Sequence, residues 1–337
     1  NFKEESTGHL TGDNILHLDR SLSQSASELG MSLEQLEENL QEIRKKLFVE
    51  REKRIHPYKD DKILTDWNGL MIAALARASS AFGEPVYAQA AKRAADFILQ
   101  EMRDNTGRLL HRFRDGEAGL PAHVDDYAFM IWGLIDLYEA TFEIDYLKEA
   151  LQLNQDFIER FWDETVGGFY FTASDSEETL LRKKELYDGA TPSGNSVAAL
   201  NLLRLSRMTG NIDLESKANM ILRAFSGIVG KFPSGYTQLL MAVDFAAGPS
   251  CEIVMVGEKG SPELLEYKHQ IQKPFIPNKV IVFKPAGPAA QSAITEIAPY
   301  TKDHGAKTGE TTVYVCRNYR CELPSTDVAT ILELLNR

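Results

Sequence analysis

Three short stretches of this 337-residue chain gather the side chains able to do chemistry: KDDKILTDWNG (59–69), PAHVDDYA (121–128) and YDGATPSGNS (187–196). In the first, Asp60, Asp61 and Lys62 precede Trp67 and Asn68. A carboxylate beside an indole suits a sugar, whose apolar ring face stacks on Trp67 while its hydroxyls bond Asp61 and Asn68. The competing structural reading makes Thr65 or Asp66 a helix N-cap and Trp67 a core residue; Asp61 stands too far upstream to cap. In the second stretch, His123, Asp125, Asp126 and Tyr127 crowd together. Neighbouring carboxylates push each other's pKa values apart, which acid–base chemistry needs. One of two such aspartates is expected to cap a helix, so Asp126 is assigned to chemistry and Asp125 to structure. His123 is a further acid–base candidate, although a lone histidine is more often structural. In the third, Tyr187, Asp188, Ser193, Asn195 and Ser196 surround Pro192 and Gly194. Ser193 as cap explains a helix start without any function, whereas Asn195 would project from the first turn toward the interior. Asp188 is a third candidate carboxylate. The stretch 167–171, Gly-Gly-Phe-Tyr-Phe, reads as a strand covering the same place, with Tyr170 a binding residue and Arg112 and Arg114 placed likewise.

The elements that must position these residues recur. DWNGLMIAALARASSA (66–81) and VYAQAAKRAADFILQEM (86–102) are helical segments split by Phe82-Gly83-Glu84-Pro85. The pattern returns at 124–142 with 146–161, and at 193–208 with 214–225. Tyr87, Tyr146 and Leu214 mark matching places at a spacing of roughly 60 residues, too long for the common short solenoids. In each pair the first helix is apolar on almost all sides and the second is amphipathic. A helix apolar all round is buried and one with a polar face lies outside. An inner ring wrapped by an outer ring, a toroid, satisfies both.

Connections inside each hairpin are short (82–85, 142–145, 209–212), and those between hairpins are long (104–121, 163–190). If all inner helices run the same way, the long connections and the inner N-termini share one mouth of the ring. Helix N-termini attract anions and accept hydroxyl or carboxylate partners, and loops on a rigid scaffold commonly carry function. All three chemical stretches lead into inner helices, so they converge on that mouth.

Upstream, SLEQLEENLQEIRKKLFVERE has Leu33, Leu36, Leu40, Ile43 and Leu47 at helical spacing behind a Ser32–Gln35 capping box. It reads as an outer helix whose inner partner precedes it. After about Gly248 the composition changes: 251–257, 279–285 and 311–317 are β-branched runs with helical stretches at 261–272 and 325–337. The expected division is therefore a helical toroid over 1–248 and a small α/β appendage with a parallel sheet over 249–337.

Bulk properties narrow the partners. Hydrophobic residues make up 43%, charged residues 26%, and the net charge is −12. Such a balance supplies no cationic excess for a phosphate backbone or an anionic membrane surface, so neither a nucleic acid nor a membrane is expected as partner. No apolar run approaches the roughly 20 residues of a membrane span, and the start lacks a signal-peptide plan. Three cysteines do not make a disulfide framework, which points to a reducing, cytoplasmic setting. Cys316 and Cys321 alone cannot complete a zinc site; free or locally paired structural thiols and a redox pair stay open. Neither a metal nor a cofactor is expected. Gly257-Glu258-Lys259-Gly260 does not match a phosphate cradle.

GDNILH (12–17), RIHPYKDDKILTDWNGLMIAALA (54–76), DDYAFMIWGLIDLYEAT (125–141), FWDETVGGFYFT (161–172), YDGATPSGNSVAALNLLRL (187–205) and VCRNYRCELP (315–324) run in order through the chain. They resemble a family that joins a thioredoxin-like domain to a barrel similar to N-acylglucosamine 2-epimerases, and that includes spermatogenesis-associated protein 20. The resemblance implies an (α/α)6 toroid, the fold shared with six-hairpin glycosidases and sugar epimerases. It also implies that the thioredoxin-like domain and the first hairpins precede this sequence, leaving its ring incomplete until another chain or fragment closes it. The epimerases' catalytic histidines do not map, because His123 stands before its helix without their surrounding pattern. Fold does not fix function. The expected activity is that of a carbohydrate-active enzyme, an epimerase or isomerase or a glycosidase, acting on a sugar-like ligand through Asp61, Asp126, His123 and Asp188. Trp67, Asn68, Tyr127, Tyr170, Tyr187, Ser193 and Asn195 would bind that ligand. The alternative is a non-catalytic module that recognises a glycan or peptide for the upstream thioredoxin-like domain.

Overall fold

The computed structural model describes residues 7–10, 12, 17–176, 181–307, 309–317 and 320–335, with 288–292 described by backbone alone. Residues 13–16 of GDNILH and 318–319 of VCRNYRCELP lie outside the described residues. The chain divides into two compact units, Asn1–Asp61 and Lys62–Arg337. In the first, α1 (Leu22–Leu29) and α2 (Leu33–Glu52) pack on each other, with Ala26 and Leu36 their buried residues. Each opens with a serine–glutamine capping box, Ser21 with Gln24 and Ser32 with Gln35, so two leftover amides at each start are satisfied locally. Ile43 and Leu47 of the expected apolar stripe are exposed.

The second unit begins with β1 (Ile63–Leu64), which leads straight into α3 (Thr65–Phe82), paired with α4 (Pro85–Glu101). A hairpin of β2 (Leu110–Arg114) and β3 (Glu117–Pro121) follows, with β1 added to its edge in the order β1-β2-β3. Then come α5 (Val124–Thr141) with α6 (Ile144–Phe161), α7 (Gly194–Thr209) with α8 (Ile212–Val229), and α9 (Thr237–Ala247). Helix α3 packs on α5, α5 on α7 and α7 on α9, while α4, α6 and α8 pack on their own partners. Inner helix α7 is buried along its whole length. Outer helix α6 buries only a stripe, Tyr146, Leu147, Ala150, Leu153, Asn154, Phe157 and Phe161, at the three- and four-residue spacing of one face. The inner row bends, because residues of α3, α5, α7 and α9 line one common cavity. This is part of an (α/α)6 toroid: among the described residues, three hairpins and the inner helix of a fourth. The stretch 167–171 forms only an isolated bridge, Trp162 to Phe169, instead of a strand. Glycines at 167 and 168 hold positive φ there, which breaks extended pairing.

Two glycines set how closely α3 and α5 approach. A Cβ on Gly69 would stand 2.5 Å from the Phe129 carbonyl carbon, and one on Gly133 would stand 2.8 Å from the Gly69 oxygen. Both helices expose backbone to backbone at this crossing, which is the densest helix contact in the unit.

The C-terminal runs form β4 (Cys251–Gly257), α10 (Pro262–Gln272), β5 (Lys279–Pro285), α11 (Pro288–Ile297), β6 (Thr312–Arg317), β7 (Arg320–Cys321) and α12 (Val328–Leu335). Sheet order is β5-β4-β6-β7. The expected parallel sheet is mixed: β4 and β5 are parallel, whereas β6 runs antiparallel to β4. The connection carrying α11 returns to the end of the sheet it left, so it makes no full crossover. Val254, Val256, Val280 and Val282 face the helical core, while Ile253, Met255, Ile281 and Phe283 face α10 and α12. The sheet thus belongs to the same unit as the hairpins and grips the end of α5. The Tyr138 hydroxyl accepts from the Phe283 amide at 3.0 Å, Phe142 stacks on Phe283, and Lys268 donates to the Ala140 carbonyl. A cation there suits the negative end of the helix dipole. Cys316 and Cys321, paired across β6 and β7, form a disulfide. No described helix is long and apolar enough to cross a membrane.

Gly69→Ala is expected to cost roughly 1–2 kcal/mol in urea unfolding, because overpacking against backbone outweighs the helix propensity gained. Unchanged stability would show that the two helices can separate freely.

Candidate active site

Asp126 organises the mouth. It is 1% exposed, in the first turn of α5, and both of its oxygens are engaged. Its Oδ1 accepts from the Asp66 amide at the start of α3 at 3.0 Å; its Oδ2 accepts from the His123 amide at the start of α5 at 2.7 Å. The same carboxylate lies 2.9 and 3.0 Å from Nδ1 of His111. Sheet pairing delivers that histidine. The Thr65 hydroxyl donates to the Leu110 carbonyl at 2.6 Å, and β1 pairs with β2 through Ile63–Phe113 and Leu64–Arg112. Strand β2 therefore runs alongside the α3 start, with His111 against Asp126. The His111 and His123 rings are 5.4 Å apart, and His123 stacks on Phe171.

These groups titrate apart. The bond to Asp126 raises His111 above the ordinary histidine value, while burial pushes His123 below it. Burial, with the nearby charge of Asp126, raises Asp66. Burial likewise pushes Asp125 up to about 7, although its carboxylate bonds the Gly194 amide at the start of α7. Asp66, His111 and Asp126 offer ligand atoms within 4.8 Å of one another, close enough to share a cation. The two amides and the ring N–H already on Asp126 compete with any such ion.

The other expected residues are placed as follows. Asp61 closes the first unit and is exposed. Asp188 accepts the Ser193 amide at 2.9 Å through one oxygen and the Gln238 and Leu239 amides at 2.9 and 3.2 Å through the other, so its lone pairs serve the starts of α7 and α9. Ser193 caps α7 through the Ser196 amide. Asn195 is buried, accepting from the Phe169 amide and donating to the Phe169 and Glu185 carbonyls, which fixes the 167–171 loop and leaves no free amide for a ligand. Tyr127 is buried against Phe157 and Phe161. The Tyr170 hydroxyl donates to Asp163, a carboxylate that Lys184 also holds. Asn68 donates to the Leu64 carbonyl. Tyr187 is exposed and meets Tyr236 edge-on. Trp67, read alternatively as core, is 64% exposed and lines a depression of about 340 Å³ with Leu70, Met71, Ala74 and Thr191.

Within the Asp125–Asp126 pair both carboxylates accept helix-start amides, Asp126 from Asp66 and His123 and Asp125 from Gly194. His111 had no separate signal beyond its place in LHRFR, where strand alternation sets it on the face opposite Leu110 and Arg112.

No family model matches the chain. Human spermatogenesis-associated protein 20 is 32% identical over 343 residues, 99% of this chain and 43% of the human protein. The mouse protein is 32% identical over 350 residues, 100% of this chain and 44% of its own length. Over essentially its whole length the chain is similar to spermatogenesis-associated protein 20, and it spans less than half the length of these relatives. Among solved structures, cellobiose 2-epimerase from Bacillus thermoamylovorans has TM-score 0.42 and 18% identity, over 50% of this chain and 46% of that one. The GH76 alpha-mannanase of Bacteroides thetaiotaomicron has TM-score 0.43 and 18% identity, over 64% and 53%.

The Asp125 shift fixes a pH dependence of stability. Its carboxyl is raised when folded, so the folded state holds a proton that the unfolded state releases above about pH 4. Asp125 therefore costs stability progressively from about pH 4 to about 7. Asp125→Asn, which keeps the acceptor for Gly194, should gain on the parent across that window in urea unfolding; a constant difference would count against the shift.

Proposed function

We propose that the second unit holds a proton-transfer site for a reducing sugar, of the isomerase or epimerase class. The observation that carries this reading is the His111–Asp126 pair. A buried carboxylate receiving Nδ1–H fixes the tautomer, and Nε2 has no hydrogen-bond partner among the described residues. That nitrogen is the proposed base for the proton beside a sugar carbonyl, with Asp126 as positioning residue. Asp66, whose carboxyl burial holds above the usual carboxylate range, is the proposed partner of the carbonyl oxygen as negative charge develops there. Burial keeps His123 neutral near pH 7, so it can return or accept a proton on a second face. Exposed Trp67 and its apolar depression suit the face of a sugar ring.

Hydrolysis is less well supported. It needs two available carboxyl groups about 5–10 Å apart, and both oxygens of Asp126 and of Asp188 are already taken by amides. In the longer relatives, the remaining hairpins and a thioredoxin-like domain are the proposed partners that complete the ring.

Incubating the full-length protein with glucose, mannose, fructose and cellobiose in D2O tests this. The expected result is loss of the NMR signal of the proton beside the carbonyl, C2–H in the aldoses and C1–H in fructose, at a rate reduced at least a hundredfold in His111→Gln. Trp67→Ala should raise KM about tenfold with kcat little changed. Exchange undiminished in His111→Gln would remove the base from the mechanism, and saturable sugar binding without exchange would favour the non-catalytic module.

A further inference from the structure

Ten residues along α5 from Asp126, about 15 Å at the helix rise, an ionic ladder crosses the inner faces of α3, α5 and α7. Asp136 accepts from Nε of Arg77 at 2.7 Å and pairs with Arg204 at 2.6 Å; Arg204 also pairs with Glu139 at 2.8 Å. The ladder lines a cavity of about 750 Å³, within the range of small-molecule sites. Its cations are Arg77, Arg204, Lys273 and Lys279, and its acids are Asp136, Glu139 and Asp244. The balance is positive in a chain of net charge −12. Asp244 accepts from the Asn278 side-chain amide, Glu139 also accepts from the Ile281 amide, and Lys279 donates to the Ile271 and Pro274 carbonyls.

The decisive group is the Arg77 guanidinium. It is half-exposed at the cavity, its Nε alone makes a hydrogen bond among the described residues, and it lies over the Trp132 ring at 5.6 Å. Arg204 is 5% exposed and stands behind the wall, where it contributes charge and no open donor. Leu240, Met241 and Ile276 complete an apolar wall.

We propose that this cavity is a second ligand site, separate from the His111–Asp126 pair, for a small organic anion. Its carboxylate or phosphate monoester bonds the two terminal nitrogens of Arg77, with the buried charge of Arg204 behind them, while its apolar part lies on Leu240 and Met241. Planar guanidinium groups match both kinds of oxyanion, and the mixed wall selects an organic anion over an inorganic one.

Calorimetric titration of the full-length protein with phenyl phosphate and with benzoate, against benzyl alcohol as a neutral control, tests the assignment. Saturable binding of at least one acid and none of the alcohol is expected, and the acid that binds names the head group. Arg77→Met should weaken binding at least tenfold through loss of charge-assisted bonds. Met241→Trp, on the exposed side of α9, should do the same by filling the cavity with the ladder intact. The proposal is overturned if neither acid binds, if the alcohol binds as well, or if both variants bind like the parent.

Discussion

Amides left over at the starts of the inner helices are taken by carboxylates that other elements contribute. An α-helix leaves four N–H groups without partners at its start, and burying them uncapped is costly. Here Asp126 serves both α3 and α5, Asp125 serves α7, and Asp188 serves α7 and α9. Helix α3 has no side-chain cap of its own, so it depends on this supply. The positive ends of the helix dipoles favour the charge on these acids. A mouth rich in carboxylates is thus first a structural necessity, and the proposed chemistry grows from it: the carboxylate that holds two helix starts also aims His111.

Helix α5 is the element on which the unit turns, because it is fixed at both ends. Its start is tied through Asp126 to α3 and through Asp125 to α7. Its end is held by the C-terminal sheet, with Tyr138 accepting from Phe283 and Gln272 and Lys268 bonding the last carbonyls. Between them, Gly69 and Gly133 bring α3 against it backbone to backbone. This accounts for the packing of the C-terminal sheet against the helical core. The hydrophobic runs of β4 and β5 are apolar on both faces because each face has a core to meet.

The hairpins were legible because burial imposes a period that any apolar helix shows, and short turns with Gly or Pro punctuate it. Strand positions in 251–257, 279–285 and 311–317 were legible for the same reason, but strand direction was not, since a hydrophobic run looks the same either way. The roles of individual acids were hidden for a different reason. Asp126 meets Asp66 across 60 positions, and Asp188 meets Gln238 across 50, so each role is set by a partner that local pattern cannot supply. His111 was missed because its importance lies wholly in the carboxylate opposite it. Gly69 and Gly133 looked like ordinary interruptions in good helices until the second helix was in place.

Sharing caps between helices also limits how such a ring can change over evolutionary time. In a solenoid each repeat carries its own terminal bonds, and units can be added or lost one at a time. Here the deletion of one hairpin would take from its neighbour a carboxylate that holds that neighbour's first turn, while a helix's own cap, such as Ser193 on α7, would remain. A change in hairpin number therefore keeps all of these bonds only when the matching acid comes with it.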